Sequence, residues 1–131
     1  RIGLYVNNHY RTTGQMIKLP PSAQKNQLQR ILEALAHAQG LSFSPMDQLL
    51  RNEARNLSWG TTVVVVTAIP SDSIVASLSR LKRVGRQVSL ITVGEETTQD
   101  MITGFPVCHV SDNIYWRDLE ALTLNQTRSG A

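Results

Sequence analysis

The chain has 131 residues, of which 41% are hydrophobic and 18% are charged, and it contains 5 prolines and 8 glycines. This composition excludes collagen-like, disordered and coiled-coil classes, and it predicts one globular domain over residues 1–131. Thirteen Lys and Arg against ten Asp and Glu give a formal charge of +3. This charge is much smaller than that of a dedicated nucleic-acid-binding domain, whose surface carries a dense cluster of basic residues.

Apolar runs and cysteine content indicate a compartment. The longest apolar run, residues 63–66, is far shorter than the ~20 residues that cross a bilayer, so we expect a soluble chain. The single cysteine, Cys108, cannot form an internal disulfide, which favours a reducing, cytoplasmic location. The first residue is Arg1 rather than Met, and we therefore expect the chain to be a piece of a longer protein.

The first predicted element is an antiparallel hairpin. Residues 2–6 are apolar, residues 15–19 alternate between polar and apolar, and turn-forming residues separate the two runs. Pro20 and Pro21 stop the second strand, which therefore should lie at a sheet edge.

Two helices follow. Ser22 is the predicted N-cap of the first, which Gly40 ends. Its predicted buried stripe comprises Leu28, Ile31, Leu32, Leu35 and Ala36. The second helix is predicted over residues 45–56, with Ser44 as N-cap and Pro45 at its first position.

A βαβ unit is predicted next. Thr61 to Thr67 are seven β-branched residues without alternation, which is typical of a strand covered on both faces inside a parallel sheet. The helical stripe of residues 74–84 ends at Gly85, a residue suited to a left-handed C-terminal cap. Residues 87–93 are the following strand. These elements predict an α/β fold with a doubly wound, mostly parallel sheet, helices on both faces and the antiparallel hairpin at the N-terminal side.

The remainder predicts one more strand and helix. After the polar segment 94–104, residues 106–110 form a short strand. Ser111 or Asp112 caps a last helix, on which one face carries Tyr115, Leu119 and Leu122. Residues 125–131 are predicted to be a frayed tail.

Histidine and cysteine offer little chemistry. No glycine-rich phosphate loop follows a predicted strand. His9, His37 and His109 lack the spacing of zinc ligands, and structural roles are favoured. Cys108 and His109 are neighbours on a strand and should point to opposite faces, so they cannot easily act as thiolate and base.

Two charged groups have both a structural and a functional interpretation. Four cations lie at the end of the third predicted helix: Arg80, Lys82, Arg83 and Arg86. Structurally they complement the helix dipole, and functionally they bind phosphate or an acidic partner. The acidic loop after the next strand is either solvated or part of a site: Glu95, Glu96 and Asp100. We favour the structural interpretation of both groups.

The candidate functional surface follows from topology. In an open parallel sheet, the C-terminal strand ends and the following helix N-termini share one edge. Ser71 and Asp72, after Thr67, and Ser42 and Ser44, between the first two helices, are the candidates for it. Hydroxyls and carboxylates there are ligands for a hard cation such as Mg²⁺. Helix capping explains Ser44 and Ser71 without a metal, and we favour capping and no cofactor.

The order of several segments carries a family resemblance. They are the helix over 28–36, the loop Ser42-Phe43-Ser44-Pro45-Met46, the strand from Gly60 to Thr67, the stretches Leu78-Ser79-Arg80-Leu81 and Gly85-Arg86-Gln87-Val88, and the strand over 107–110. This succession resembles the C-terminal two thirds of a von Willebrand factor A-like domain. It looks most like the bacterial family catalogued as domain of unknown function fifty-eight.

The resemblance implies a metal-ion-dependent adhesion site built from three loops. The first loop, Asp-x-Ser-x-Ser, would precede Arg1. The second matches Ser44, with Ser42 as the other possibility. The third should fall at Thr67-Ala68, and Ala68 has no side-chain oxygen. The site is therefore expected to be degenerate.

The resemblance also implies partners. Family members carry membrane segments ahead of this domain, which lies on the cytoplasmic side, and they associate with MoxR-type ATPases. The family's central first strand would precede this chain. The hairpin should then pair directly with the predicted strand over residues 61–67, the valine strand, or leave a gap that another chain fills, so a homodimer is one expectation.

Three function hypotheses result. The first is a non-enzymatic protein-protein interaction module of the von Willebrand type. The alternative is a metal-dependent hydrolase at the strand-end edge, with Asp72, Glu95 or Glu96 as acid or base. The third is nucleic-acid binding through residues 80–86, which the modest charge disfavours.

Overall fold

A computed structural model gives the architecture of most of the chain. It describes residues 1–39, 44–95, 102, 104–112 and 125–127, the last range by its backbone alone. The chain divides into two compact units, Arg1–Leu50 and Arg51–Ala131. Unit 1 contains a two-stranded sheet and unit 2 a four-stranded sheet.

The predicted elements over residues 1–111 are present. They are β1 (Ile2–His9), β2 (Met16–Ser22), α1 (Gln27–Ala36), α2 (Met46–Ala54), β3 (Thr62–Thr67), α3 (Asp72–Arg83), β4 (Gln87–Gly94) and β5 (Val107–Ser111), with β6 (Asn125–Thr127) in addition. The predicted last helix, with its apolar face, lies outside the described residues. The fold is α/β, with a three-stranded parallel sheet and an antiparallel hairpin.

The hairpin of β1 and β2 is antiparallel, as predicted. The prediction that Pro20 and Pro21 stop the second strand is wrong, because β2 continues through both to Ser22, and its pairing with β1 is irregular there. The pairing shifts between Ile2 and Leu4, because an extra residue of β2 is accommodated opposite them. A Cβ atom on Gly3 would lie 2.7 Å from the carbonyl oxygen of Leu19 and 2.8 Å from the nitrogen of Pro21. The hairpin therefore needs glycine at position 3, since backbone atoms this close cannot move aside easily.

Gln27, at the start of α1, binds the irregular end of the hairpin. Its Nε2 donates to the carbonyl oxygen of Ile2 at 2.9 Å and to that of Pro20 at 3.2 Å. Its Oε1 accepts from Arg30 at 3.4 Å, which orients the amide group. The side chain is only 2% exposed. One buried amide thus supplies donors to two carbonyls that lie beside the shift in pairing.

Two predictions for α1 are wrong. Ser22 does not cap the helix: it belongs to β2, its hydroxyl accepts from the amide of Gln24, and Asn26 is the N-cap. The buried residues of α1 are Gln27, Ile31 and Ala34, whereas Leu28, Leu32 and Leu35 are exposed. The helix has a wide apolar surface, and the hairpin covers one side of it, where Ile31 and Ala34 pack against Ile17 and Leu19.

Two consecutive asparagines of β1 bind the segments next to helices α1 and α2. Asn8, which is buried, donates to the carbonyl oxygen of Gln39 at 2.6 Å. Asn7 donates to the carbonyl oxygen of Ser44 at 3.2 Å. Neighbours on a regular strand point to opposite faces, but the pairing of β1 is irregular between Tyr5 and His9. Both amides bind carbonyl oxygens of residues that lie between α1 and α2 in the sequence.

The predicted βαβ unit of β3, α3 and β4 is confirmed. β3 and β4 are parallel, and α3 packs against β4. The hydroxyl of Ser71 caps α3 by accepting from the amide of Ile74 at 3.4 Å. At the other end, Gly85 has φ of 87°, its amide donates to Lys82 and the amide of Arg86 donates to Leu81. This pair of bonds is the Schellman motif that glycine at this position predicts.

The prediction that the valine strand lies inside the sheet is wrong. In the described part of the sheet the order is β3-β4-β5-β6, so β3 is at the edge. The hairpin forms its own sheet and does not pair with β3. One face of β3 is also open: Val65 is 4% exposed, but Val64 is 51% and Val66 56% exposed. A run of β-branched residues has no alternation that could reveal an exposed face, which explains the error.

The predicted frayed tail contains a strand. Asn125–Thr127 forms β6, which pairs antiparallel with β5 and matches Val107 to Thr127 and His109 to Asn125. Three polar residues carry no hydrophobic periodicity, and their strand conformation comes from hydrogen bonds to a distant neighbour. Sequence patterns therefore could not reveal it.

Candidate functional site

The predicted strand-end residues fall in different parts of the structure. Ser42 lies outside the described residues. Ser44 belongs to unit 1, where its carbonyl oxygen accepts from Asn7. Thr67, Ser71 and Asp72 belong to unit 2, at the turn from β3 to α3.

The hydroxyls in the β3–α3 turn bind protein atoms. The Thr67 hydroxyl donates to the carbonyl oxygen of Ile69 at 3.3 Å and its Oγ1 accepts from the Ile69 amide at 3.2 Å. The Ser71 hydroxyl, besides capping α3, lies 3.0 Å from that of Ser73. The amide of Ser71 donates to the same Ile69 carbonyl. The turn thus brings Thr67 and Ser71 together as local structural bonds, which agrees with the capping interpretation.

Acidic and metal-binding groups are sparse. Glu95 is exposed, whereas Glu96 and Asp100 lie outside the part of the chain that the structure describes. Within that part, no three His, Cys, Asp or Glu side chains converge as metal ligands would. The turn residues therefore gain no support as a cation site from their neighbours.

A histidine pair forms the most chemically distinctive contact of unit 2. His109 of β5 and Thr92 of β4 are register partners on one face, and each is 3% exposed. His109 Nε2 lies 2.9 Å from the carbonyl oxygen of Gly94, which can only accept, so Nε2 carries the proton. In the neutral ring, Nδ1 then accepts from the Thr92 hydroxyl at 2.8 Å. Cys108 lies on the opposite face and is half-buried, as predicted for neighbours on a strand.

This hydroxyl-imidazole contact has the geometry in which a base activates a nucleophile. Both side chains are buried, however, and both nitrogens of the ring are bound to protein atoms. The contact therefore connects β4 to β5, in agreement with the structural role predicted for His109.

Replacing Thr92 by valine tests this role. The change keeps the shape but removes the hydroxyl that donates to His109 Nδ1, and we expect the free energy of unfolding to fall by about 1 to 3 kcal/mol in urea titrations. Thr62→Val is the matched control, because its hydroxyl is exposed at the same sheet, and a change within about 0.5 kcal/mol is expected. Equal losses in both variants would contradict a special role for the buried pair.

Two of the four predicted cations, Lys82 and Arg86, bind backbone carbonyl oxygens outside α3. Arg86 donates to the carbonyl oxygens of Leu57 at 2.8 Å, of Ala54 at 3.4 Å and of Ser58, near the end of α2. Its guanidinium also stacks 4.7 Å from the ring centre of Trp59. Lys82 donates to the carbonyl oxygen of Gly104. Arg86 and Lys82 thus have structural partners, while Arg80 and Arg83 are exposed.

The edge strand β3 presents hydrogen-bonding groups of known direction. The amide of Leu90 donates to Pro106, so Leu90 points its backbone groups toward β5. Ser89 and Ile91 therefore point theirs toward β3, since the direction alternates along a strand. Their register partners are Val64 and Val66. In a parallel pair, when the N–H and C=O groups of one residue point toward the neighbouring strand, those of its register partner point away from it. The backbone groups of Val64 and Val66 therefore point away from β4, and by alternation so do those of Thr62.

We call these outward N–H and C=O groups of Thr62, Val64 and Val66 the free edge. Among the described strands, none pairs with it. Edge strands are usually protected by lysine, proline, a bulge or short length. β3 has none of these side chains, pairs with β4 without a shift over all six residues, and exposes the Val64 and Val66 side chains beside the free edge.

The free edge could not be predicted from the sequence, because the run of β-branched residues in β3 shows no local sign of which strands lie beside it. One local signal was available: residues 56–71 carry no charge, and the nearest charged residues are Arg55 and Asp72. An uncharged stretch of this length around a strand suits a surface that meets another protein.

No protein-family model, no curated protein and no solved structure matches the chain. In the part of the chain that could be searched, no helix has the length and apolar character required to cross a membrane.

Proposed function

We propose that the chain is a non-enzymatic protein-protein interaction module that binds its partner by adding a strand to the free edge. The observation that supports this proposal is an unprotected edge strand, β3, with exposed Val64 and Val66 beside it. An added strand would bond to the outward groups, and its side chains would cover the two valines.

The energetics favour occupation of such an edge. Each hydrogen bond between the strands contributes about 0.5 to 1.5 kcal/mol net. Cross-strand pairs of β-branched side chains add about 0.2 to 1 kcal/mol each. The β-branched sequence of β3 also restricts its conformations before binding, which lowers the entropy lost on association.

We further propose that the module is of the von Willebrand factor A type, doubly wound, with a degenerate metal-ion-dependent adhesion site. The order of helices and strands supports the domain type. Ala68 supports only the degeneracy of the site, since it provides no side-chain oxygen where the third loop needs one, and Thr67 and Ser71 bind within their own turn. The class of assembly that the resemblance suggests is one with a MoxR-type ATPase. A cytoplasmic location, behind a membrane anchor of the full-length protein, belongs to the same proposal.

Amide hydrogen exchange tests the proposal in the isolated chain. The Val65 amide points toward β4, to the carbonyl of Ser89, whereas the amides of Val64 and Val66 point outward. In dilute solution, we expect Val64 and Val66 to exchange at least about 100-fold faster than Val65. Residue-resolved NMR exchange measures the difference within a single strand. Equally slow exchange of all three at a concentration where light scattering shows a monomer would mean that the edge is covered, and the proposal would fall.

A further inference from the structure

We propose that the strand which occupies the free edge is β3 of a second copy of this chain, antiparallel about a two-fold axis perpendicular to the sheet. The inference rests on the proposed function and names its partner. It follows from three properties of β3: the direction of its backbone groups, the faces of its side chains and its lack of charge.

The direction of the backbone groups selects a register. In β3 the backbone groups of Thr62, Val64 and Val66 point outward, and the side chains of these residues lie on one face. In a pair of copies, these three residues must therefore lie opposite one another. An axis at Val64 places Val64 opposite the partner's Val64 and Thr62 opposite the partner's Val66. Three pairs then exchange two hydrogen bonds each. An axis at Val65 leaves only two such pairs, so the register centred on Val64 is preferred.

The side chains of this register match one another. Thr62, Val64 and Val66 share the exposed face of β3, and the pairing places valine against valine at the centre and threonine against valine on either side. Cross-strand neighbours of this β-branched kind stabilise a sheet. The two open faces join, and the exposed valines gain apolar neighbours from the second copy.

Charge favours a second copy over a partner of opposite charge. The chain has a formal charge of +3, so most of its surface repels another copy. Residues 56–71 are the exception because they carry no charge, and β3 lies within them. A partner selected by electrostatics would require charged residues along the edge, which β3 lacks. Two-fold pairing also uses both free edges and thereby closes the assembly.

The expected dimer is weak. A six-residue edge buries less than the ~1,200 Å² at the lower limit of stable interfaces. We therefore expect a dissociation constant in the micromolar range, of the order of 10 to 100 μM. Dilution should release monomers with the open edge that the exchange experiment detects.

Cysteine cross-linking tests the partner and the register together. In a Cys108→Ser background, which removes the native thiol, Val64→Cys places two cysteines opposite each other, with Cα atoms about 5.5 Å apart. Mild oxidation at 200 μM protein, a concentration chosen from the expected affinity of about 10 to 100 μM, should give a disulfide-linked dimer. Val66→Cys is the matched control on the same strand and face. In this register the two copies of residue 66 are offset by four residues along the strands, so their Cα atoms lie about 13 Å apart, which is beyond the range of a disulfide.

A mixture of variants gives a second measurement of register. Thr62→Cys and Val66→Cys chains should each give no disulfide-linked dimer alone and should form a cross-linked heterodimer when combined. We expect about 10-fold more dimer from Val64→Cys than from Val66→Cys alone. Equal yields, or no dimer from Val64→Cys, would overturn the inference. If exchange still shows an open edge in that case, the inference fails while the proposed function stands; if the edge is covered, both fail.

Discussion

Replacement of Gln27 by alanine should destabilise unit 1 more than any other single change to an uncharged polar residue described above. The variant loses the donor to the Ile2 and Pro20 carbonyls and the packing of a side chain that is 2% exposed. We expect the free energy of unfolding to fall by about 2 to 4 kcal/mol. Urea denaturation followed by circular dichroism measures the loss.

Two further variants identify the cause. Gln27→Met keeps the volume and removes the hydrogen bonds, so it should retain most of the loss, about 1 to 3 kcal/mol. Gln29→Ala lies two residues away on the same helix but is exposed, and it should change stability by no more than about 0.5 kcal/mol. A Gln27→Met variant as stable as the original would show that packing, and not the paired carbonyls, explains the effect.

Replacement of Arg86 by alanine should have a comparable effect in unit 2. Three carbonyl oxygens near the end of α2 lose their charged donor, and Trp59 loses the stacked guanidinium. We expect a loss of about 2 to 3 kcal/mol, measured by thermal and urea unfolding. Trp59 fluorescence should change in the folded state, because its stacked neighbour is gone.

Arg86→Lys separates charge from geometry. A lysine ammonium keeps the charge but cannot present two planar nitrogens to three carbonyls, so it should restore less than half of the loss. Arg83→Ala is the control, since Arg83 is exposed and lies in the same basic cluster, and its effect should stay within about 0.5 kcal/mol. Full recovery by lysine would contradict the account of a planar, multiply bonded group.

Local patterns predicted the elements well, because each depends on neighbours in sequence. The left-handed Gly85 after α3 and the Ser71 cap before it are examples. The buried face of α1 was predicted incorrectly, since its apolar surface is wider than the side that the hairpin covers. The predicted interior position of β3 was also wrong, because an unbroken run of β-branched residues shows no alternation that would reveal its open face.

The candidate surface shows the same limit. Sequence placed Ser71 and Asp72 correctly at the β3–α3 turn, but it could not show that the free edge lies beside Val64 and Val66. Arg86 was assigned to the end of its own helix, whereas its side chain binds α2, about 30 residues earlier in the chain. Long-range partners of this kind carry no local sequence signal.

The turn after α3 has an influence beyond its own helix. Gly85 holds φ at 87°, and the residue that follows it is Arg86, whose amide is fixed to Leu81 while its guanidinium binds the end of α2. The direction of that side chain is therefore set by a backbone angle that other residues rarely adopt. A side chain at position 85 would therefore disturb the C-terminal ends of both α3 and α2. The segment from Ala54 to Ser58 would lose hydrogen bonds as a result of a substitution at Gly85.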